Sequence, residues 1–105
     1  MEIKELQKQA SEIFINNSKR DGIKVDTDYL ILKLTEELGE FVQSYIVHER
    51  RCRPAKYLSA KEAKRELSKE LADVLGLVFS IADKCDIDIE EALVKKWITK
   101  EWLKK

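Results

Sequence analysis

Cysteine, histidine, proline and glycine are all scarce in this chain, and these shortages exclude several classes of protein. The 105 residues include two Cys, one His, one Pro and three Gly. With 44% apolar residues, this composition excludes a collagen-like or a disordered chain and is typical of a helical globular protein. Cys52 and Cys85 form no CxxC pair, and no apolar signal segment opens the chain. We therefore expect reduced thiols and a cytoplasmic location.

The chain also lacks net charge and long apolar segments. Lys plus Arg and Asp plus Glu number 20 each, so no net field attracts a nucleic acid polymer or an acidic membrane. Charges interrupt every apolar run well before the roughly 20 residues that cross a bilayer. The sequence thus predicts neither a nucleic acid polymer nor a membrane as partner, and any use of charge must be local.

The length of the chain fits one small domain, which we assign to residues 1–105. A domain of this size buries only a modest core and often gains further burial by pairing with a copy of itself. We therefore expect a homodimer or a homotetramer.

Apolar residues recur at helical spacing of three and four along most of the sequence. The pattern predicts four main helices: from residue 2 to about 18, from Asp26 or Asp28 to about 49, from Ser59 to about 85, and from Asp88 to the C-terminus, where Trp97 and Trp102 mark the apolar side. Pro54 interrupts the pattern in a loop between the second and third helices. We predict an all-α fold with four main helices in an antiparallel bundle, completed by dimerisation.

Two acidic clusters stand at the margins of apolar helix faces. Glu37 lies roughly 60° from Leu34 on the helical wheel, and Glu40 follows three residues later. Glu70 and Asp73 repeat this arrangement on the third helix. Residues three apart are neighbours on a helix, so each pair can act as one two-pronged ligand. If the two helices pack face to face, four carboxylates converge.

Four converging carboxylates repel each other strongly unless they take up protons or hold a cation. Ligation by oxygen alone favours Mg²⁺, Mn²⁺ or Ca²⁺ over zinc or copper. Two alternatives compete with this interpretation. In the first, the carboxylates are ordinary solvated residues on two amphipathic helices. In the second, the chain is a di-iron carboxylate bundle. The second needs ExxH pairs, and the single histidine, His48, belongs to none.

The segments LTEELGE (residues 34–40) and ELADVL (residues 70–75) resemble the signature of MazG-like nucleotide pyrophosphohydrolases, which belong to the all-α NTP pyrophosphatase superfamily. The resemblance covers residues from about 29 to 100. It implies an oligomeric helical fold that binds Mg²⁺, with Mn²⁺ as a possible substitute. It also implies a nucleotide substrate, a nucleoside triphosphate that is split into a monophosphate and pyrophosphate.

Carried over position by position, the resemblance assigns the metal ligands to four residues: Glu37, Glu40, Glu70 and Asp73. Glu36 and Glu40 are the candidates for orienting or deprotonating the attacking water. The candidate cations for substrate binding are Lys96, Lys100 and Arg53. Other cations in or beside the loop are Arg50, Arg51 and Lys56.

The chain departs from the family pattern in two places. The segment between Glu40 and Glu70 is long, which predicts an enlarged loop at residues 51–59. In the last helix, Lys100 and then Leu103 or Lys104 replace the Asn and Arg of many relatives. Two other functional hypotheses remain: a non-catalytic module that binds metal, nucleotide or a protein partner, and a helix bundle without a ligand.

Overall fold

A computed structural model describes residues 2–101, and helices account for most of them. The elements are α1 (Ile3–Arg20), α2 (Thr27–His48), a 3-10 turn (Pro54–Lys56), α3 (Ala60–Lys84), α4 (Ile89–Leu93) and a π-helical turn (Val94–Ile98). The described part of the chain contains no strand, so the all-α prediction is confirmed. The last predicted helix is α-helical over α4 alone and continues as the π-helical turn. Trp102, Leu103 and Lys104 lie outside the described residues.

The helix starts are fixed by side chains that accept hydrogen bonds from free backbone amides. Asp26, one of the two predicted candidates, caps α2 by accepting from the backbone N of Tyr29 at 2.8 Å. At α3 the hydroxyl of Ser59 accepts from the backbone N of Glu62 at 3.2 Å. The same hydroxyl donates to Oε1 of Glu62 at 2.9 Å, so Ser59 and Glu62 are paired through their side chains at the start of the helix. Asp88 caps α4 in the same way as Asp26 caps α2.

The central helix is α3, which packs against both α1 and α2. Glu37 of α2 lies beside Asp73 of α3. Further along α2, Val47 lines the same cavity as Ala63, which lies earlier in α3. The two helices therefore run antiparallel, and this register brings their acidic clusters to the same level.

Helix α1 crosses the other side of α3 in the same antiparallel sense. Near its middle, the hydroxyl of Ser11 donates to Oδ2 of Asp83 at 3.0 Å. Towards its N-terminus, the buried amide of Gln7 donates to the carbonyl of Ile87 at 2.9 Å and accepts from the backbone N of Ile89 at 3.2 Å. The second bond satisfies one of the free amides at the start of α4 and holds that helix against α1.

The apolar core of the described chain is small. Five of its apolar side chains are buried: Leu30, Ala63, Leu77, Phe79 and Ala82. By contrast, α2 carries a stripe of exposed apolar side chains at positions 31, 38, 42 and 45, which share one face of the helix. None of the helices within residues 2–101 has the length and apolar character needed to cross a membrane.

Candidate metal and nucleotide site

Carboxylates of α2 and α3 form two overlapping groups. Glu36, Glu37 and Glu40 form one group, in which each residue offers an oxygen within 4.8 Å of the others. Glu37, Glu70 and Asp73 form the second group by the same measure. Glu37 belongs to both groups. The fold therefore brings together the four predicted metal ligands and Glu36, the additional acidic residue.

The local sequence explains why these side chains converge. Glu37 stands between Leu34 and Phe41, both half-buried, whose apolar side chains keep this part of α2 against the rest of the bundle. On α3, half-buried Val74 and buried Leu77 follow the second acidic pair, and Leu77 lines the same cavity as Glu37. Packing of the apolar stripes thus forces the glutamates at their margins into contact.

Two carboxylate oxygens in this cluster are buried without a partner. Oε2 of Glu37 and Oε2 of Glu70 are inaccessible to solvent and accept no hydrogen bond from residues 2–101. Leaving a buried polar group unsatisfied costs about 1–3 kcal/mol, and more for a charged one. A fold retains such atoms when something outside the chain, such as a water or an ion, satisfies them.

The environment of the cluster disfavours ionised carboxylates. Burial raises the pKa of Glu37 to about 7, and the adjacent carboxylates of Glu40 and Asp73 raise it as well, while Lys33 opposes the change. Burial also raises the pKa of Glu70, and the negative charges of Glu40 and Asp73 add to the effect. The cluster is therefore electrostatically unfavourable as it stands, and a bound cation would relieve it.

The positive charge nearest to Glu36 comes from Lys33, a residue that the sequence reasoning did not single out. Its ammonium group is paired with Oε1 of Glu36, and this hydrogen bond raises the pKa of Lys33. Glu36 itself is exposed, and it lies at the outer edge of the cluster with Lys33 beside it. The sequence spacing of Lys33 and Glu36 could have indicated this pair, because oppositely charged residues three apart on a helix are neighbours.

The residues fit a hard divalent cation by geometry and by chemistry. Mg²⁺ and Ca²⁺ bind oxygens at about 2.0–2.6 Å, so ligands on opposite sides of one ion lie about 4–5 Å apart. The oxygens in each group meet this requirement, and all of them belong to carboxylates. The two buried oxygens without partners provide free ligand positions.

A cavity of about 660 Å³ lies on one side of the cluster, between the C-terminal half of α2 and the N-terminal half of α3. Glu40 and Glu70 form its edge towards the cluster, and Cys52 and Lys56 of the loop close it. Oγ of Ser44, which lines this cavity, is buried and has no hydrogen-bond partner among the described residues. The loop predicted to be enlarged is therefore a wall of this cavity.

A second cavity of about 330 Å³ lies on the opposite side of the cluster, between α1 and α3. Glu37 and Asp73 form its edge towards the cluster. Its other walls are mostly apolar and include Phe14 and Gly76, with the side chain of Asn17 as a polar group. The cluster thus separates two cavities of different character.

The three cations predicted to bind substrate lie elsewhere. Arg53 is exposed immediately before the 3-10 turn, Lys96 is exposed in the π-helical turn, and Lys100 is exposed beyond it. None of them lines either cavity beside the cluster, whereas Lys56 lines the larger one. The position of Lys56 next to Pro54 shows from the sequence that it belongs to the loop. The sequence does not show which cation of the loop lines the cavity.

Comparison with known proteins assigns a family to this arrangement. Residues 26–101 match the family model described as MazG nucleotide pyrophosphohydrolase domain. The matched segment contains α2, α3 and α4, and therefore every carboxylate of the cluster. Neither curated proteins nor solved structures provide a match.

Proposed function

Since the chain belongs to the MazG nucleotide pyrophosphohydrolase family, we propose that it hydrolyses a nucleoside triphosphate to a nucleoside monophosphate and pyrophosphate in the presence of Mg²⁺ or Mn²⁺. The observation that carries this proposal is the position of Glu37. Its carboxylate lies close to carboxylates of both α2 and α3, and its Oε2 is buried without a hydrogen-bond partner among the described residues. That arrangement suits a divalent ion better than it suits the protein alone.

Glu37, Glu40, Glu70 and Asp73 would hold the cation. When bound, a divalent cation neutralises phosphate charge and lowers the pKa of a water molecule. The chain's own contribution is to fix the four carboxylates on two helices, so that little reorganisation is needed when substrate arrives.

Glu40 is the residue that we place as general base. It is exposed, adjacent to Glu37 and at the edge of the larger cavity, where water can reach it. Its carboxylate would accept a proton from the attacking water as the water oxygen bonds to the α-phosphorus. The bond from that phosphorus to the departing pyrophosphate then breaks. Glu36, held by Lys33, would orient the water from the outer edge.

The larger cavity would receive the pyrophosphate part of the substrate. Lys56 supplies a positive charge there, and the unpartnered hydroxyl of Ser44 supplies a hydrogen-bond donor. The roles of Lys96, Lys100 and Arg53 rest on family resemblance and stay predictions, as does the assignment of residues 1–105 to one domain.

A nucleotide panel tests the proposed activity. Purified protein with Mg²⁺ is expected to release pyrophosphate and the matching monophosphate, in equal amounts, from at least one common ribo- or deoxyribonucleoside triphosphate. The products are separated by ion-exchange chromatography. Release of orthophosphate alone would show that a different bond breaks, and nucleotide binding without any product would favour a non-catalytic module.

We also propose that the protein forms a homodimer through the exposed apolar stripe of α2. Ile31, Leu38, Val42 and Tyr45 are each about half exposed on this face, and Leu71 and Leu75 of α3 are exposed to a similar extent. A stable interface buries about 800 Å² per partner, and a continuous apolar face on two helices suits that requirement. Pairing of two such dimers would give a tetramer.

A charge placed on the stripe tests the dimer. Val42→Asp is expected to give a folded monomer, because an unpaired aspartate would be buried in the interface. Leu32→Asp is the matched control: Leu32 is 69% exposed on the same helix, about 100° away from the stripe. Light scattering coupled to size exclusion should show a dimer for the wild type and for Leu32→Asp. A wild-type monomer at micromolar concentration would refute the proposal.

The cytoplasmic location also remains a proposal. Cys52 and Cys85 are both free thiols in the structure, which suits a reducing compartment.

A further inference from the structure

One wall of the smaller cavity contains a glycine that the packing of the protein does not explain. Gly76 lies in the interior of α3, where glycine costs about 1 kcal/mol relative to alanine. Beyond its chain neighbours and the backbone of its own helix, a Cβ atom at this position would meet nothing within 4 Å among residues 2–101. Neither backbone conformation nor packing within the chain therefore requires glycine here. The missing side chain keeps open a space that something outside the chain can fill.

The size of this cavity limits what can enter. Ligand cavities usually measure roughly 300–1,000 Å³, so a cavity of about 330 Å³ is at the small end of that range and has room for a ring system. Phe14 offers an aromatic ring at its edge, and that ring is packed against Tyr29 with 6.2 Å between the ring centroids. The opening leads directly to Glu37 and Asp73.

Chemistry also separates the two cavities. At the α-phosphorus of a nucleoside triphosphate, the nucleoside extends in one direction and the pyrophosphate in the other. The larger cavity is polar, with the lysine Lys56 and the glutamates Glu40, Glu66 and Glu70 along its walls, whereas the smaller one is apolar apart from the amide of Asn17 and the two carboxylates. A cation held by Glu40 and Glu70 would join Lys56 in offering positive charge to phosphate on that side. An amide group both donates and accepts hydrogen bonds, as the edge of a nucleobase does.

We infer that the smaller cavity between α1 and α3 is the nucleobase subsite, with Gly76 providing room for the ring and Asn17 reading its edge. This inference deepens the proposed function and rests on it. It places base specificity partly on α1, all of which lies outside the matched family segment 26–101.

Gly76→Ala is the sharpest test because it separates binding from folding. The added methyl group should raise the unfolding temperature, since alanine favours the helix. It should also raise KM for the preferred triphosphate about tenfold, with kcat within about twofold. Binding of inorganic tripolyphosphate with Mg²⁺, measured by calorimetry, should be unchanged because this probe has no base. Asn16→Ala, at an exposed position of α1 that lines neither cavity, is the matched control: alanine favours the helix there and should leave KM unchanged.

Asn17→Ala provides a second, independent variant. It should change the ranking of kcat/KM among ATP, GTP, CTP, UTP and their deoxy forms by about threefold to tenfold. Asn16→Ala, the exposed neighbour that does not line the cavity, should leave the ranking unchanged.

The outcomes distinguish this inference from the proposed function. If the wild type hydrolyses no nucleotide, both fail. If the wild type is active but Gly76→Ala and Asn17→Ala leave KM and base ranking unchanged, the subsite is overturned and the function stands. Equal loss of tripolyphosphate and nucleotide binding in Gly76→Ala would also overturn the subsite, because the effect would not depend on a base.

Discussion

Glu37→Gln is expected to lower kcat/KM by about a hundredfold to ten-thousandfold while leaving the protein folded. A divalent ion contributes several kcal/mol of charge stabilisation to phosphate chemistry, and each 1.4 kcal/mol corresponds to about tenfold in rate. Glu37 is the one residue that belongs to both groups of carboxylates, so its replacement weakens the ligand set of both helices at once. Steady-state pyrophosphate release with Mg²⁺ measures the loss.

The same variant carries a stability test. Glutamine keeps the shape of the side chain and removes a negative charge that lies beside Glu40, Glu70 and Asp73. Without divalent ions, the unfolding temperature of Glu37→Gln should therefore equal or exceed that of the wild type. Glu12→Gln, which changes an exposed glutamate of α1 outside both groups, is the control and should retain wild-type activity. Full activity in Glu37→Gln would refute the metal site.

Removing divalent ions should abolish activity and lower stability. With EDTA, pyrophosphate release is expected to fall to background and to return when Mg²⁺ or Mn²⁺ is added in excess. An ion that binds only the folded state stabilises it by about 2.7 kcal/mol at a concentration one hundred times Kd. For a domain of this size, that corresponds to roughly 10 °C or more in unfolding temperature. Differential scanning calorimetry measures the shift.

Glu37→Gln distinguishes this site from adventitious binding. The shift in unfolding temperature on addition of Mg²⁺ should be strongly reduced in the variant and unchanged in Glu12→Gln. An equal shift in all three proteins would mean that the ion binds elsewhere.

Local features of this fold could be predicted from the sequence because they depend on neighbouring residues. The caps at Asp26 and Ser59 follow from hydrogen bonds that reach only three residues along the chain. The spacing of Glu37 with Glu40 and of Glu70 with Asp73 places each pair on one face of a helix. The convergence of the two pairs could be predicted because the apolar stripes beside them are buried only if α2 packs on α3.

Features that depend on contacts between distant segments could not be predicted in this way. Nothing in the sequence around Gln7 indicates that its amide would bind the start of α4, more than 80 residues later. The cavities were equally hidden, because each needs the register between two helices before its lining is known. From the sequence, Gly76 is one glycine in a helical pattern, and only the structure shows the empty space beside it.

The cations illustrate a limit of residue-by-residue comparison with a family. The family resemblance places Lys96 and Lys100 in the last helix, where the structure has a short α4 that packs against α1, followed by a π-helical turn. Lys56 lies in the loop between α2 and α3, outside the two segments that carry the family resemblance. Its position on the larger cavity comes from the path of the loop.

Crystals soaked in Mn²⁺ and measured at the manganese absorption edge test the central claim most directly. The account predicts an anomalous peak between α2 and α3, within about 2.3 Å of carboxylate oxygens of Glu37 and of at least one residue from Glu70 and Asp73. A map with no peak at that position, in crystals where the four side chains are ordered, would contradict it.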